Sequence, residues 1–301
     1  MFRIIYIKES EKLSLKLDNL IIENNNNEYK LPLEDIDTIM LENNKCLLTS
    51  KLICKMMEYK INFIVCNDKM MPTGIMLPYQ QHSRGTKIIL NQIAWTNELK
   101  DFMWDMIIEN KIKNQRKVLE MYNKSQSVIN KIKEYEDLID NGDITNREGH
   151  AAKIYFGALF GKDFTRFNDD TINGGLNYGY TILRANICRI IVASGLIPNI
   201  GIHHKNEFNN YNLADDLIEV FRPIVDMWCY KNLIDKEYLS REDRMNLINL
   251  LNGTIDIGNT NQTLTNAFQK YLDGLINFTE TGDINKIIFP KIDTFKENEQ
   301  L

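Results

Sequence analysis

No stretch of this 301-residue chain approaches the roughly 20 consecutive apolar residues that a membrane-spanning helix needs. The longest candidate, Ile190 to Ile202, is interrupted by Ser194, Gly195, Pro198 and Asn199. The apolar run that follows Arg3 lacks a small-residue cleavage site, so no secretory signal is expected. Cysteine is sparse. The five present, Cys46, Cys54, Cys66, Cys188 and Cys229, are odd in number, widely spaced and without a CxxC pair. That argues against a disulfide framework and against a structural zinc site, and it predicts a reducing cytoplasm as the home of the chain. Positive charge is also in short supply. A net charge of −5 counts, taken alone, against a nucleic-acid partner, although a cluster of metal-binding carboxylates would itself lower the total. Asn173-Gly174-Gly175 has neither GxGxxG nor P-loop spacing, and no Ser or Cys stands in a nucleophile elbow or a Cys/His arrangement.

What is present divides into two halves with different periodicity. Residues 1–78 read as strands: Phe2–Ile7, the alternating Leu13, Leu15 and Leu17, then Ile36–Leu41 and Ile61–Cys66. Asn24 to Asn27 should form a turn, and Thr49 can cap a short helix carrying Leu52, Ile53, Met56 and Met57. Residues 79–87, polar and containing glycine, read as a linker. From residue 88 to 301 the period is helical. Successive apolar faces are Leu99/Phe102/Met103/Met106, Val128/Ile132/Tyr135/Ile139, Ala152/Tyr155/Phe156/Leu159, Leu176/Leu183/Ile187/Ile191 and Leu213/Leu217/Val220/Phe221/Ile224. The expected fold is α+β: a small β-rich, sandwich-like domain followed by a larger all-α domain.

Candidate chemistry concentrates in that helical part. Glu148 fits a capping box opened by Thr145, yet it shares a helix face with Ala152, Tyr155 and Leu159, where a carboxylate needs a partner or a metal. His203 and His204 fall in a loop after Pro198, and Asp215, Asp216 and Glu219 on the helix that follows. Asp216 and Glu219, three apart, would share a flank. A plain alternative is a solvated face with Arg222 paired to Glu219 or Asp226. Carboxylates with an imidazole suit Mg2+ or Mn2+, with the imidazole favouring Mn2+, and such ions neutralise charge in phosphodiester transfer. Lys111, Lys113, Arg116 and Lys117 form the densest basic segment. They are either a DNA-phosphate patch or a solvated helix end.

Taken in order, several segments resemble the CRISPR-associated integrase family, the universal "protein one" of CRISPR adaptation. Tyr6-Ile7, Leu31-Pro32-Leu33-Glu34-Asp35-Ile36, Thr49-Ser50-Lys51-Leu52 and Ile61-Asn62-Phe63-Ile64-Val65 resemble its β domain. Arg147-Glu148-Gly149 with Tyr155-Phe156 resembles its acidic helix. Leu176-Asn177-Tyr178-Gly179-Tyr180 and Ser194-Gly195-Leu196-Ile197-Pro198 resemble its central helix and turn. Most specific is Gly201-Ile202-His203-His204 joined to Asp216-Leu217-Ile218-Glu219-Val220-Phe221-Arg222-Pro223, whose form is nearest to type II members. The likeness covers nearly the whole chain and is weakest after Lys231.

The resemblance implies a metal-binding catalytic triad of Glu148, His204 and Glu219. The Gly-x-x-His form selects His204 over His203, and Asp216 lies close by in a supporting place. It further implies a homodimer formed through the β domains and a complex with the small CRISPR-associated protein two. The activity implied is insertion of protospacer DNA into a CRISPR repeat array. A non-catalytic DNA-binding scaffold, or a stand-alone nuclease on branched DNA or RNA, would use the same fold. With no Tyr set among clustered Arg and His, attack by the incoming DNA 3′-hydroxyl is expected, without a covalent protein–DNA intermediate.

Overall fold

The computed structural model describes residues 3–24, 27–77, 84–139 and 142–298. It divides into two compact units, one formed by the described part of Met1–Gly85 with Val192–Gly195, the other by Thr86–Ile191 and Leu196–Leu301.

The first unit begins with β1 (Arg3–Ile7), the hairpin strands β2 (Lys12–Lys16) and β3 (Asn19–Asn24), and β4 (Asn27–Pro32). It continues through β5 (Ile36–Leu41), β6 (Leu47–Leu48), α1 (Ser50–Glu58), β7 (Asn62–Cys66) and β8 (Pro72–Met76). Two four-stranded sheets result, ordered β1-β5-β7-β8 and β4-β3-β2-β6. β1, β5 and β7 run parallel, with α1 as the crossover between the last two. Leu13, Leu20, Ile39, Leu52, Met56 and Phe63 bring both sheets and α1 into one buried cluster. Thr49 caps α1 as expected, its hydroxyl accepting the Leu52 N–H at 3.4 Å. Leu17 and Asp18, both at positive φ (49° and 55°), close the β2–β3 hairpin. Asn24 and Asn27 face each other across β3 and β4, and the two asparagines between them lie outside the described residues.

The second unit opens with α2 (Gly85–Ile93), so the last residues of the expected linker are already helical, while 79–83 lie outside the described residues. There follow α3 (Asn97–Met121), α4 (Gln126–Glu136), α5 (Arg147–Phe160) and α6 (Thr171–Ala193). α7 (Asn212–Ile218), α8 (Arg222–Leu233) and α9 (Arg241–Asn249) come next. The chain then forms β9 (Thr254–Ile257), β10 (Thr260–Thr263), α10 (Leu264–Thr281) and β11 (Pro290–Lys296). Two expectations are revised here. The carboxy-terminal part is helical but not wholly so, because β10-β9-β11 make a small sheet. The fifth predicted helix is two helices. Pro223 has no N–H to offer the Glu219 carbonyl, and the Asn114 side chain takes the Val220 carbonyl at 2.8 Å, so the ladder breaks between Ile218 and Arg222.

α3 is the axis of this unit. It packs against α4, α5, α7, α8 and β11, and ten of its 25 residues are buried.

Candidate active site

Glu148 is the second residue of α5, and a relay of carboxylates sets its position. Asp105 of α3 accepts the N–H groups of Gly142 (2.9 Å) and Asp143 (3.1 Å). Asp143 in turn accepts those of Arg147 (2.7 Å) and Glu148 (3.0 Å). These satisfy the orphan donors at the start of α5 and place negative charge where the helix dipole favours it. The N-cap is Asn146, in the left-handed region, its side chain accepting the Gly149 N–H; it is not Thr145. The capping box is therefore not formed. The Glu148 carboxylate is instead free to reach across to α3, where it meets the ammonium of Lys111.

Lys111 is 5% exposed, and its Nζ contacts Glu148 Oε1 and Glu219 Oε2 together. The lysine suggested as a surface phosphate contact is thus a buried part of this centre. Burial pushes its ammonium down, but the two carboxylates outweigh that and hold its pKa above the ordinary lysine value. The same attraction holds the Glu148 carboxyl below the usual carboxylate range. Glu219 follows directly on α7 and is 3% exposed; its other oxygen accepts from Arg222 at 3.0 Å. The Arg222–Glu219 pair foreseen as the plain alternative therefore exists, inside the candidate site. Asp226 does not join it but accepts the Tyr180 hydroxyl.

Asp216 has no exposed surface and organises the histidine loop. Its Oδ2 accepts the N–H of Ile202 (2.6 Å) and of His203 (3.0 Å). Its Oδ1 accepts the His204 N–H (3.1 Å) and faces His204 Nδ1 at 2.5 Å. A carboxylate can only accept, so Nδ1 carries the hydrogen and the neutral ring keeps its lone pair on Nε2. The same hydrogen bond raises the His204 pKa above that of a free imidazole. Gly201 is glycine for want of room: a Cβ there would lie 2.4 Å from the His204 carbonyl oxygen and 2.8 Å from Asp216 Oδ2. The preceding turn is pinned by buried Gln92, which donates to the carbonyls of Ile197 (3.0 Å) and Ile200 (2.9 Å) and accepts the Ile197 N–H (2.8 Å). His203 is stacked flat on Trp104 of α3, centroids 4.2 Å apart, whereas the His204 side chain is 42% exposed. Asp215 turns elsewhere, to Arg184 at 3.5 Å and Asn209 at 2.8 Å.

The rest of the basic segment does not join the centre. Arg116 pairs with Glu136 (2.7 Å) and Glu120 (2.6 Å), Lys117 with Glu120 (3.3 Å), and Lys113 is exposed. The four cations accordingly do not form one surface patch.

The donor set suits a divalent ion in kind. Two carboxylates from separate segments share one cation, a buried oxygen of Glu219 lacks a hydrogen bond of good geometry, and an imidazole nitrogen is held free by its own carboxylate. Among the described residues no three His, Cys, Asp or Glu side chains lie close enough together, as they stand, to hold a metal. Lys111 fills the common point of the two glutamates.

Fold and site together define an α+β protein with a β-rich first part and a helical second part that gathers carboxylate, imidazole and ammonium groups from distant segments. The family model "CRISPR associated protein Cas1" matches residues 5–247, and the chain belongs to the Cas1 family. It is 36% identical over 226 residues to the CRISPR-associated endonuclease Cas1 of Neisseria meningitidis, covering 75% of this chain and 74% of that one. Among solved structures, a casposase bound to integration product is similar with a TM-score of 0.73 and 20% identity, over 94% of this chain and 92% of the casposase. A Cas6-RT-Cas1–Cas2 complex is similar with a TM-score of 0.73 and 18% identity, over 95% of this chain and 36% of that one. Among the described residues no helix is long and apolar enough to cross a membrane.

Proposed function

We propose that the chain is a metal-dependent DNA integrase that inserts protospacer DNA into a CRISPR repeat array by transesterification from a DNA 3′-hydroxyl. One observation carries the reading: Glu148 on α5 and Glu219 just past the end of α7, 71 residues apart, converge on a single cation. Beside them, Asp216 presents His204 with its Nε2 lone pair free. Glu148, Glu219 and His204 Nε2 would hold Mg2+ or Mn2+. Such an ion, when bound, supplies positive charge at the non-bridging and leaving oxygens of a phosphodiester.

The chain's own residues do the rest. Asp216 fixes the tautomer and orientation of His204, Arg222 orients Glu219 through its second oxygen, and the Asp105–Asp143 relay delivers Glu148. Among the described residues the two phenols buried beside Asp226 are not suited to attack. Burial, helped by the neighbouring Asp226 carboxyl, holds the phenols of Tyr155 and Tyr180 well above their ordinary pKa and so protonated. The 3′-hydroxyl of the incoming DNA is the nucleophile in this reading. The similar casposase bound to integration product supports an integration chemistry on this fold, and the similar Cas6-RT-Cas1–Cas2 complex supports the small CRISPR-associated protein two as partner. A homodimer through the β-rich unit completes the assembly. On this reading the chain acts on DNA in the cytoplasm, where its five thiols, all free here, stay reduced.

The test offers a protospacer-like duplex and a repeat-bearing target, with and without the partner, in Mg2+ or Mn2+. Insertion is expected with wild type. It should be lost with EDTA, with a donor ending in a 3′-deoxy sugar, and in Glu148→Ala, His204→Ala and Glu219→Ala. Insertion by Glu219→Ala, or recovery of a denaturant-resistant protein–DNA adduct, would overturn the reading.

A further inference from the structure

Lys111 stands where the metal would stand. Its ammonium touches Glu148 Oε1 and Glu219 Oε2 at contact distance, while Arg222 holds the remaining oxygen of Glu219. Oxygen ligands lie about 2.0–2.6 Å from a divalent ion, so an ion bound by those two oxygens would occupy the space the ammonium fills. Two cations cannot share it. Charge gives the same answer. Glu148 and Glu219 contribute −2, and Lys111 and Arg222 contribute +2, so these four groups balance one another as they stand. A divalent ion added with nothing moved would leave an excess of positive charge in a poorly solvated place, even beside the buried Asp216 carboxylate.

Only one of the two resident cations is free to yield. Arg222 sits over the Tyr180 ring, 4.9 Å from its centroid, and can keep Glu219 Oε1 without obstructing Oε2. Lys111 has a flexible four-carbon stem and bonds to both oxygens that the ion needs. The way out lies on the Glu148 side, where that side chain is 30% exposed against 3% for Glu219.

We infer that Lys111 is the built-in counter-ion of the metal-free centre. On this view it is displaced by the divalent ion towards the open side of the site, where its ammonium meets a phosphate of bound DNA. The inference rests on the metal-dependent reading above and adds a role for Lys111 to it. Lys111 then lowers metal affinity in the absence of DNA and repays it when a phosphodiester arrives, so metal and DNA bind cooperatively.

Calorimetric Mn2+ titration of the full chain without DNA tests this in wild type, Lys111→Gln and Glu219→Gln. Removing a neighbouring positive charge should tighten Mn2+ binding in Lys111→Gln by at least about tenfold. Its melting temperature in EDTA should fall, since two buried carboxylates lose their cation. A folded Lys111→Gln that binds Mn2+ no tighter than wild type overturns the inference alone, provided Glu219→Gln has lost binding. Equal Mn2+ binding by wild type and Glu219→Gln overturns the metal site itself, and the inference with it. Should Lys111→Gln not fold, wild type decides. Amine-reactive labelling mapped by mass spectrometry should leave Lys111 unmodified in EDTA and modify it with Mn2+ present, and labelling that is absent in both states overturns the displacement.

Discussion

Replacing Asp216 by Asn changes one atom and should unfold the histidine loop. The carboxylate accepts four hydrogen bonds, two at each oxygen, from the N–H groups of Ile202, His203 and His204 and from His204 Nδ1. An amide keeps only one accepting oxygen. Turned one way, its NH2 faces the N–H groups of Ile202 and His203. Turned the other way, it faces the His204 N–H and ring. It could then bond the ring only if the ring hydrogen moved from Nδ1 to Nε2, which removes the lone pair proposed to bind metal. Two charge-assisted bonds are lost in either orientation. At about 1.5–3 kcal/mol each, Asp216→Asn should cost roughly 3–6 kcal/mol, a large share of the stability of a domain this size. Urea unfolding in EDTA measures it without interference from metal, and Mn2+ binding by any folded fraction should be weakened as well. A loss below about 1 kcal/mol would show that the loop does not depend on this carboxylate, and the account of how His204 is presented would be wrong.

Other outcomes follow from the same geometry. Burial pushes the Asp226 carboxyl from 3.8 up to about 6, although Tyr180 donates to it. A folded pKa above the unfolded one stabilises fully only below the unfolded value and fades as pH rises from about 4 to about 6. At neutral pH the ionised group therefore costs on the order of 3 kcal/mol. Asp226→Asn should accordingly be more stable than wild type at pH 7.5 by urea midpoint, with the difference shrinking towards pH 4; a less stable variant at pH 7.5 refutes this. Gly201→Ala should lose roughly 1–3 kcal/mol in the same assay, because a methyl cannot fit between the His204 carbonyl and Asp216; a neutral result would show that the loop yields. Leu17, 83% exposed and at positive φ, should gain about 1 kcal/mol on replacement by Asn, which tolerates that conformation, and an unchanged melting temperature would count against strain at this turn.

Periodicity made α3 and α5 legible because each buries a stripe, Met103 and Ile107 on α3 and Tyr155 and Leu159 on α5, whereas α6 is buried on nearly all sides and shows only a long apolar run. The break before α8 was also readable, since Pro223 cannot continue a hydrogen-bond ladder, but the continuing apolar pattern of Val220, Phe221 and Ile224 masks it. The β9–β10 hairpin carried a signal too, Gly258-Asn259 between two short runs, with Gly258 at φ 58°. Glu148 was noticeable because its carboxylate lay along an apolar face, and Glu219 because it shared a flank with Asp216. Lys111 was misplaced for a physical reason. A lysine in a basic run looks solvated, and its two partners lie 37 and 108 residues further along the chain, beyond any local pattern. The assignment of the triad came from family likeness, since spacing alone left Asp216 and His203 as open as their neighbours.

One stripe of α3 serves all three ligand-bearing segments. Trp104 carries the histidine loop through His203, Lys111 joins Glu148 to Glu219, and Asn114 holds the Val220 carbonyl. Successive helix residues are rotated by about 100°, so inserting or deleting a single residue between Trp104 and Asn114 would turn these contacts out of alignment at once. The loop of residues 161–170, by contrast, meets only the far end of α5 in these contacts, through Phe164 against Phe156 and Phe160. Over evolutionary time the centre should therefore tolerate changes of length in such loops freely and in the middle of α3 not at all, and a relative with an indel there should have lost the site as a whole.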